Sequence, residues 1–146
     1  MKLQKDFSDA ELRCAVRCMG DKLRAVTLEV EDSNGYVTNV KLNRAIAALP
    51  SNLSSLTLEV GASDVTDEGL QHVPANLSSL TLELNSEMTD ADLRHLPSNI
   101  SSLTLMLSDS KVTDEGLKAL PPSLKDLIIC EHGYKGSCTR EGIEAA

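Results

Sequence analysis

Residues 50–73 read P-S-N-L-S-S-L-T-L-E-V-G-A-S-D-V-T-D-E-G-L-Q-H-V, and this stretch contains two hydrophobic periods in succession. Over Leu56-Thr57-Leu58-Glu59-Val60 apolar and polar residues alternate strictly, so Leu56, Leu58 and Val60 share one face and Thr57 and Glu59 the other. That is the pattern of a short, half-buried strand. In Val65-Thr66-Asp67-Glu68-Gly69-Leu70-Gln71-His72-Val73 the period changes: Leu70 and Val73 stand three apart, behind a Thr suited to capping first-turn amides. One or two helical turns, ended by Pro74, are expected there.

The unit recurs. Pro50, Pro74, Pro97 and Pro121 are 24, 23 and 24 residues apart, and residues 74–96 and 97–120 repeat both periods in frame. Equivalent capping threonines fall at Thr89, Thr113 and Thr139, and equivalent buried pairs at Leu93 with Leu96 and Leu117 with Leu120. A terminal copy, P-P-S-L-K-D-L-I-I-C, begins at Pro121 and has two extra residues in its middle. A degenerate first copy, with Leu23, Val26, Leu28 and Val30, closes at Leu42–Leu49 about six residues late. A strand and a helical turn of this size cannot bury an apolar face alone, so the copies must stack. Strands lie about 4.8 Å apart whereas helices need about 10 Å, which predicts a stack curved with its strands inside. The expected fold is therefore α/β, with a parallel sheet on the concave side and short helices on the convex side.

The residues L-x-x-L-x-L at Leu53–Leu58, with V-T-D-E-G-L at Val65–Leu70 and again at Val112–Leu117, resemble the leucine-rich-repeat family. The likeness is to its short-helix V-T-D-x-G-L type, found in cysteine-containing and many bacterial repeats. It covers roughly residues 23–143, about five repeats. The resemblance implies a curved right-handed solenoid that binds other proteins through its concave strand surface. Two departures stand out. The Asn usual in the bend after the strand survives only as Asn85, its equivalents being Glu31, Gly61, Ser108 and His132. The strand-to-helix connection is also long, as if Val60, Leu84 or Leu107 extended each strand by one inward residue.

The expected organisation is one domain over 1–146: a leader with a capping helix in 1–22, a degenerate repeat over 23–49, regular repeats over 50–73, 74–96 and 97–120, and a terminal repeat with cap over 121–146. In the leader, Ser8 with Glu11 forms a capping-box pattern and Phe7 with Leu12 a hydrophobic staple, opening a helix to about Met19 that would cover Val26 and Leu28. Cys14 and Cys18 lie one turn apart on its other side and read as small residues of a partly exposed helix. Cys130 and Cys138 flank the inserted loop of the last repeat and are candidates for a disulfide clip. A zinc site shared by the two pairs would have to bridge about 19 Å of stacked strands.

Composition narrows the function. Of 146 residues, 23 are Leu and only three are aromatic, so the core must be stacked aliphatics and no platform for stacking bases exists. The net charge of −8 disfavours nucleic-acid phosphates and anionic membrane surfaces. No apolar run approaches a signal peptide or a membrane span, which makes the cytoplasm the expected location. The triplets at Asn52, Asn76 and Asn99 match the glycan-acceptor pattern but occupy one place in three successive repeats, which points to duplication.

No catalytic or cofactor motif is visible. Phosphate loops, nucleophile elbows and H-E-x-x-H are missing, and no cofactor or metal is expected. His72 and His95 hold equivalent helical positions, His132 has no second ligand pair, and the acids Asp67, Glu68, Asp90, Asp92, Asp114 and Glu115 suit helix starts. The candidate site is the outward strand face. One column there holds Thr27, Thr57, Thr81, Thr104 and Ile128; its neighbour holds Glu29, Glu59, Glu83, Met106 and Cys130. These residues, Cys130 apart, are the expected contacts for a protein partner with a basic surface, the chain itself being a monomer or weak homo-oligomer. Solvated strand formers copied by duplication are the plainer reading of the same columns. The alternative function is a self-assembling scaffold element, joined through the solenoid ends or through Cys14 and Cys18.

Overall fold

Alternating and helical periods within one 24-residue unit leave the chain little choice but to build strand and helix in turn. The computed structural model describes residues 2–3, 22–30, 39–60, 67–84, 88–107 and 110–131. Six strands form one parallel sheet in chain order: β1 (Lys2–Leu3), β2 (Ala25–Val30), β3 (Ser55–Val60), β4 (Ser79–Leu84), β5 (Ser102–Leu107) and β6 (Asp126–Glu131). Parallel neighbours require a crossover, and from β2 onward each crossover carries a helix. These are α1 (Asn39–Ala47), α2 (Asp67–Gln71), α3 (Asp90–Leu93) and α4 (Asp114–Lys118).

Register follows the repeat frame. Leu56, Leu80, Leu103 and Leu127 are successive partners across β3 to β6, as are Leu58, Leu82, Leu105 and Ile129. With Leu53, Leu77 and Ile100 before the strands and Ile46, Leu70, Leu93 and Leu117 on the helices, they form one aliphatic core. Each fully buried Leu contributes on the order of 1.5–3 kcal/mol of transfer free energy. Burial weakens at the last repeat, where Leu120, Leu124, Leu127 and Ile129 are only partly covered. The strand extension expected from the long connections is present: all four full-length strands from β2 to β5 end at Val30, Val60, Leu84 and Leu107, and Leu107 is buried.

The leader departs from expectation. Its first residues form an edge strand, Lys2 pairing with Glu29 and Leu3 with Val30, so the sheet begins one strand earlier than the repeats do. The capping helix expected up to Met19 lies outside the described residues.

Hydrogen bonds between repeats explain why polar residues recur beside the leucines. At the strand entrance one carbonyl per repeat collects donors from the next. Arg24 O accepts from Ser54 N, Ser55 N and Ser54 Oγ at 2.8, 3.0 and 2.9 Å. Ser54 O accepts from Ser78 N, Ser79 N and Ser78 Oγ, and Ser78 O from Ser101 N, Ser102 N and Ser101 Oγ, all between 2.9 and 3.1 Å. The series closes at Ser101 O, which takes Lys125 N and Asp126 N. A parallel row lies two residues earlier, where Asn76 Nδ2 donates to Ser51 O at 3.0 Å and Asn99 Nδ2 to Ala75 O at 3.2 Å. In the terminal repeat Ser123 replaces that Asn, and its hydroxyl reaches the Ser98 carbonyl. The three glycan-like triplets thus have a structural cause: in two of them both the Asn amide and the Ser hydroxyl hold the preceding repeat.

On the helix side a second device joins repeats. Asp90 Oδ1 accepts from Thr113 N and Asp90 Oδ2 from Thr113 Oγ1, both at 2.6 Å, so one repeat's carboxylate fixes the next repeat's helix start. Thr113 in turn accepts from Glu115 N at 3.2 Å, as its capping role requires. A Cβ on Gly116 would run into Asp90 Oδ1, and the Asp90 Cα would be only 3.1 Å away. Asn43, in the same repeat position as Asp90, stands equally close to Gly69 and donates to Glu68 Oε2 at 3.3 Å. The glycines in D-E-G-L are therefore space for the previous repeat's side chain. The middle repeat has Asp92 in that position, and its use differs: with Thr89 as the N-cap of α3, Asp92 Oδ2 accepts from Thr89 N at 2.7 Å and from Thr89 Oγ1 at 2.9 Å, closing a capping box within the repeat.

Gly to Ala inside an ordinary helix gains about 1 kcal/mol. Gly116→Ala should instead destabilise by about 1–3 kcal/mol in urea unfolding, through overpacking against Asp90. Combining it with Asp90→Ala should make the glycine substitution cost less than it does alone, because the clashing carboxylate is gone.

Candidate functional site

Period-2 alternation that sends leucines into the core sends the intervening residues to the opposite face of the sheet. The threonine column read from the sequence is continuous in the structure, and the second column is paired except between Glu59 and Glu83, where the β3–β4 pairing ends at Leu58 and Leu82. Thr27 pairs with Thr57, Thr57 with Thr81, Thr81 with Thr104 and Thr104 with Ile128. In the second column Glu29 pairs directly with Glu59, and Glu83 with Met106, which pairs with Cys130. All nine candidate contacts thus lie on one surface of the sheet.

Exposure along this surface is uneven. Thr27, Glu29, Thr57, Thr81, Glu83, Thr104 and Met106 are half-buried by their neighbours, whereas Glu59 is exposed. Ile128 is 55% exposed, an unusual position for a large aliphatic and one it shares among the described residues with Val40 on α1. Along these two columns the surface therefore runs from carboxylates on β2 to β4 to aliphatic side chains on β5 and β6, with the exposed carboxylate of Asp126 two residues before Ile128 at the entrance of β6. Two carboxylates directly opposite on neighbouring strands repel, which costs a few tenths of a kcal/mol to about 1 kcal/mol.

One neighbour of the acidic column was missed by sequence reasoning. Lys2 takes the register position beside Glu29. Nothing in the repeat pattern signals this, since Lys2 belongs to the non-repeating leader. Cys130, at the other end of the column, carries a free thiol and is half-buried. Cys138, the second half of the proposed clip, lies outside the described residues.

The helical side offers less. An open depression between α1 and α2 is lined by Val40, Asn43, Arg44, Ala47, Glu68 and His72. Its Asn43 and Glu68 are engaged with each other. His72 and His95 are both exposed, and Asp90 and Asp92 are committed to helix starts. Lys118 forms an exposed 2.6 Å ion pair with Glu115, whose hydrogen bond and charge hold the ammonium above its usual pKa. Among the described residues, no three His, Cys, Asp or Glu side chains converge on a point where a metal ion could sit, and no helix is long and apolar enough to cross a membrane.

No protein-family model matches the chain, and no curated protein does. Among solved structures it is similar to the leucine-rich repeat-containing protein LegL7 from Legionella pneumophila, with a TM-score of 0.63 and 23% identity. The fold is that of a leucine-rich-repeat solenoid. The likeness covers 86% of this chain and 45% of LegL7, so this chain spans less than half of the protein it resembles.

Because Glu29 and Glu59 are directly paired, Glu59→Gln should raise the stability of the solenoid by about 0.2–1 kcal/mol. Urea titrations at about 0.05 and 0.5 M salt check this: the gain should shrink at high salt, where screening weakens the repulsion that the substitution removes.

Proposed function

We propose that this chain is a non-enzymatic protein-interaction module built from short-helix V-T-D-x-G-L repeats, and that it recognises a protein with a basic surface through the outward face of its sheet. The observation that carries this reading is the retention of Glu29 and Glu59 in direct register, followed by Glu83, on a surface that ends in the exposed Ile128. For the stability of the fold alone both features are unfavourable. Paired carboxylates repel, and a bare isoleucine leaves apolar area in water. A basic partner removes the repulsion and an apolar contact covers the isoleucine, so both costs become binding energy. With three aromatic residues in the whole chain, the interface works through charge and aliphatic contact and has few ring anchors.

Affinity capture from native cell extract, compared between wild type and the triple variant Glu29→Lys, Glu59→Lys, Glu83→Lys, checks this reading. Circular dichroism first establishes that the variant is folded. Partners held by the wild type should be recovered at least about tenfold less well by the variant. Equal recovery of every partner would show that the strand face is not the binding surface.

A further inference from the structure

Resting on the strand-face reading, we infer that the partner segment is an α-helix lying across the strands, with Lys or Arg toward β2 and aliphatic residues toward β6. The argument begins with spacing. Glu29 pairs with Glu59 and Glu83 with Met106, and Glu59 and Glu83 each follow the last β3–β4 pair, Leu58 with Leu82, by one residue, so the column takes one residue per strand at strand spacings of about 4.8 Å. A helix rises about 1.5 Å per residue and returns to the same face at i, i+3, i+7, i+10 and i+14, which is about 0, 4.5, 10.5, 15 and 21 Å. Five successive strands stand at about 0, 4.8, 9.6, 14.4 and 19.2 Å. The two series stay within about 2 Å of each other over the whole sheet. An extended segment presents its same-face side chains every 6.7 Å or so, and by the third strand it is about 4 Å out of step.

Width and chemistry agree with this. Ile128 is in the Thr column, two residues along the strand from the Glu and Met column, an offset of about 6.7 Å that fits within a helix about 10 Å across. The charge gradient fixes which part of the helix meets which strand. Cations at i, i+3 and i+7 face Glu29, Glu59 and Glu83, and aliphatics at i+10 and i+14 face Met106 and Ile128. The small, half-buried threonines of the adjoining column leave the surface flat enough for a cylinder to approach.

The test uses the full 146-residue chain and a labelled 18-residue Ala/Gln-based helical peptide with Lys at positions 2, 5 and 9 and Leu at 12 and 16. Two control peptides share its charge: one distributes the same residues around the helix, and one is a Thr/Val-based extended sequence. Fluorescence anisotropy should show the in-register helix binding at least about tenfold more tightly than either control. Its affinity should fall about tenfold with Glu59→Lys plus Glu83→Lys, and separately with Ile128→Asp. Equal binding of all three peptides would reduce the effect to unspecific charge attraction, and tighter binding of the extended peptide would make the partner a strand; either overturns the inference. Should the helix fail while native capture remains sensitive to the triple glutamate reversal, only the helical form of the partner falls. If capture is insensitive as well, the strand-face reading falls with it.

Discussion

The structure depends on one shared register between successive repeats, held at the strand entrance by carbonyls that each serve the following repeat. Arg24 O, Ser54 O and Ser78 O each take two amides and a serine hydroxyl from the next unit. A slip of one residue would break this row and turn every leucine to the solvent side. The same bonds therefore place Leu56 under Leu80 and, on the other face, Thr57 beside Thr81 and Glu29 beside Glu59. Core and candidate binding surface are two consequences of one constraint.

Because each repeat touches only its neighbours, stability is a sum of interfaces and not the property of a central core. Three layers make up each interface: aliphatic columns, the carbonyl row, and on the helix side the reach of one repeat's side chain to the next helix start. Asp90 to Thr113 is the best-defined case of the last. It gives the glycine of D-E-G-L a reason for being there, since Gly116 leaves the volume that the Asp90 carboxylate occupies. The middle repeat, with Asp92 in place of glycine, turns that position inward to its own Thr89. The repeats are thus alike in their leucines and individual in their helix starts.

Much of this was legible in the residues. Alternation at Leu56-Thr57-Leu58 and the proline frame suffice for strand, helical turn and stacking, because those periods leave one way to bury the leucines. The outward columns followed from the same arithmetic: the threonine column is paired throughout, and the glutamate column is paired except between Glu59 and Glu83. Hydrogen-bond partners were not legible. Asn76 and Ser78 looked like duplicated surface residues, since a sequence does not say which carbonyl lies 3.0 Å away in the previous repeat. Thr89 was legible as a cap from its residue type, but its partner was not: Asp92, three residues on, closes the capping box within its own repeat. Lys2 could not be placed beside Glu29 at all, because the edge strand is outside the repeat and has no periodicity to read.

The central claim is that the serine–carbonyl row fixes the register of the sheet, and native-state hydrogen exchange of the Ser79 and Ser102 amides tests it most directly. Each donates to a carbonyl of that row, at 3.1 and 3.0 Å. If the row is the register lock, these two amides exchange only through the largest openings of the solenoid, with protection matching that of the central leucine amides of β4 and β5. Exchange at rates near those of an unstructured peptide, while the leucine amides stay protected, would contradict the account.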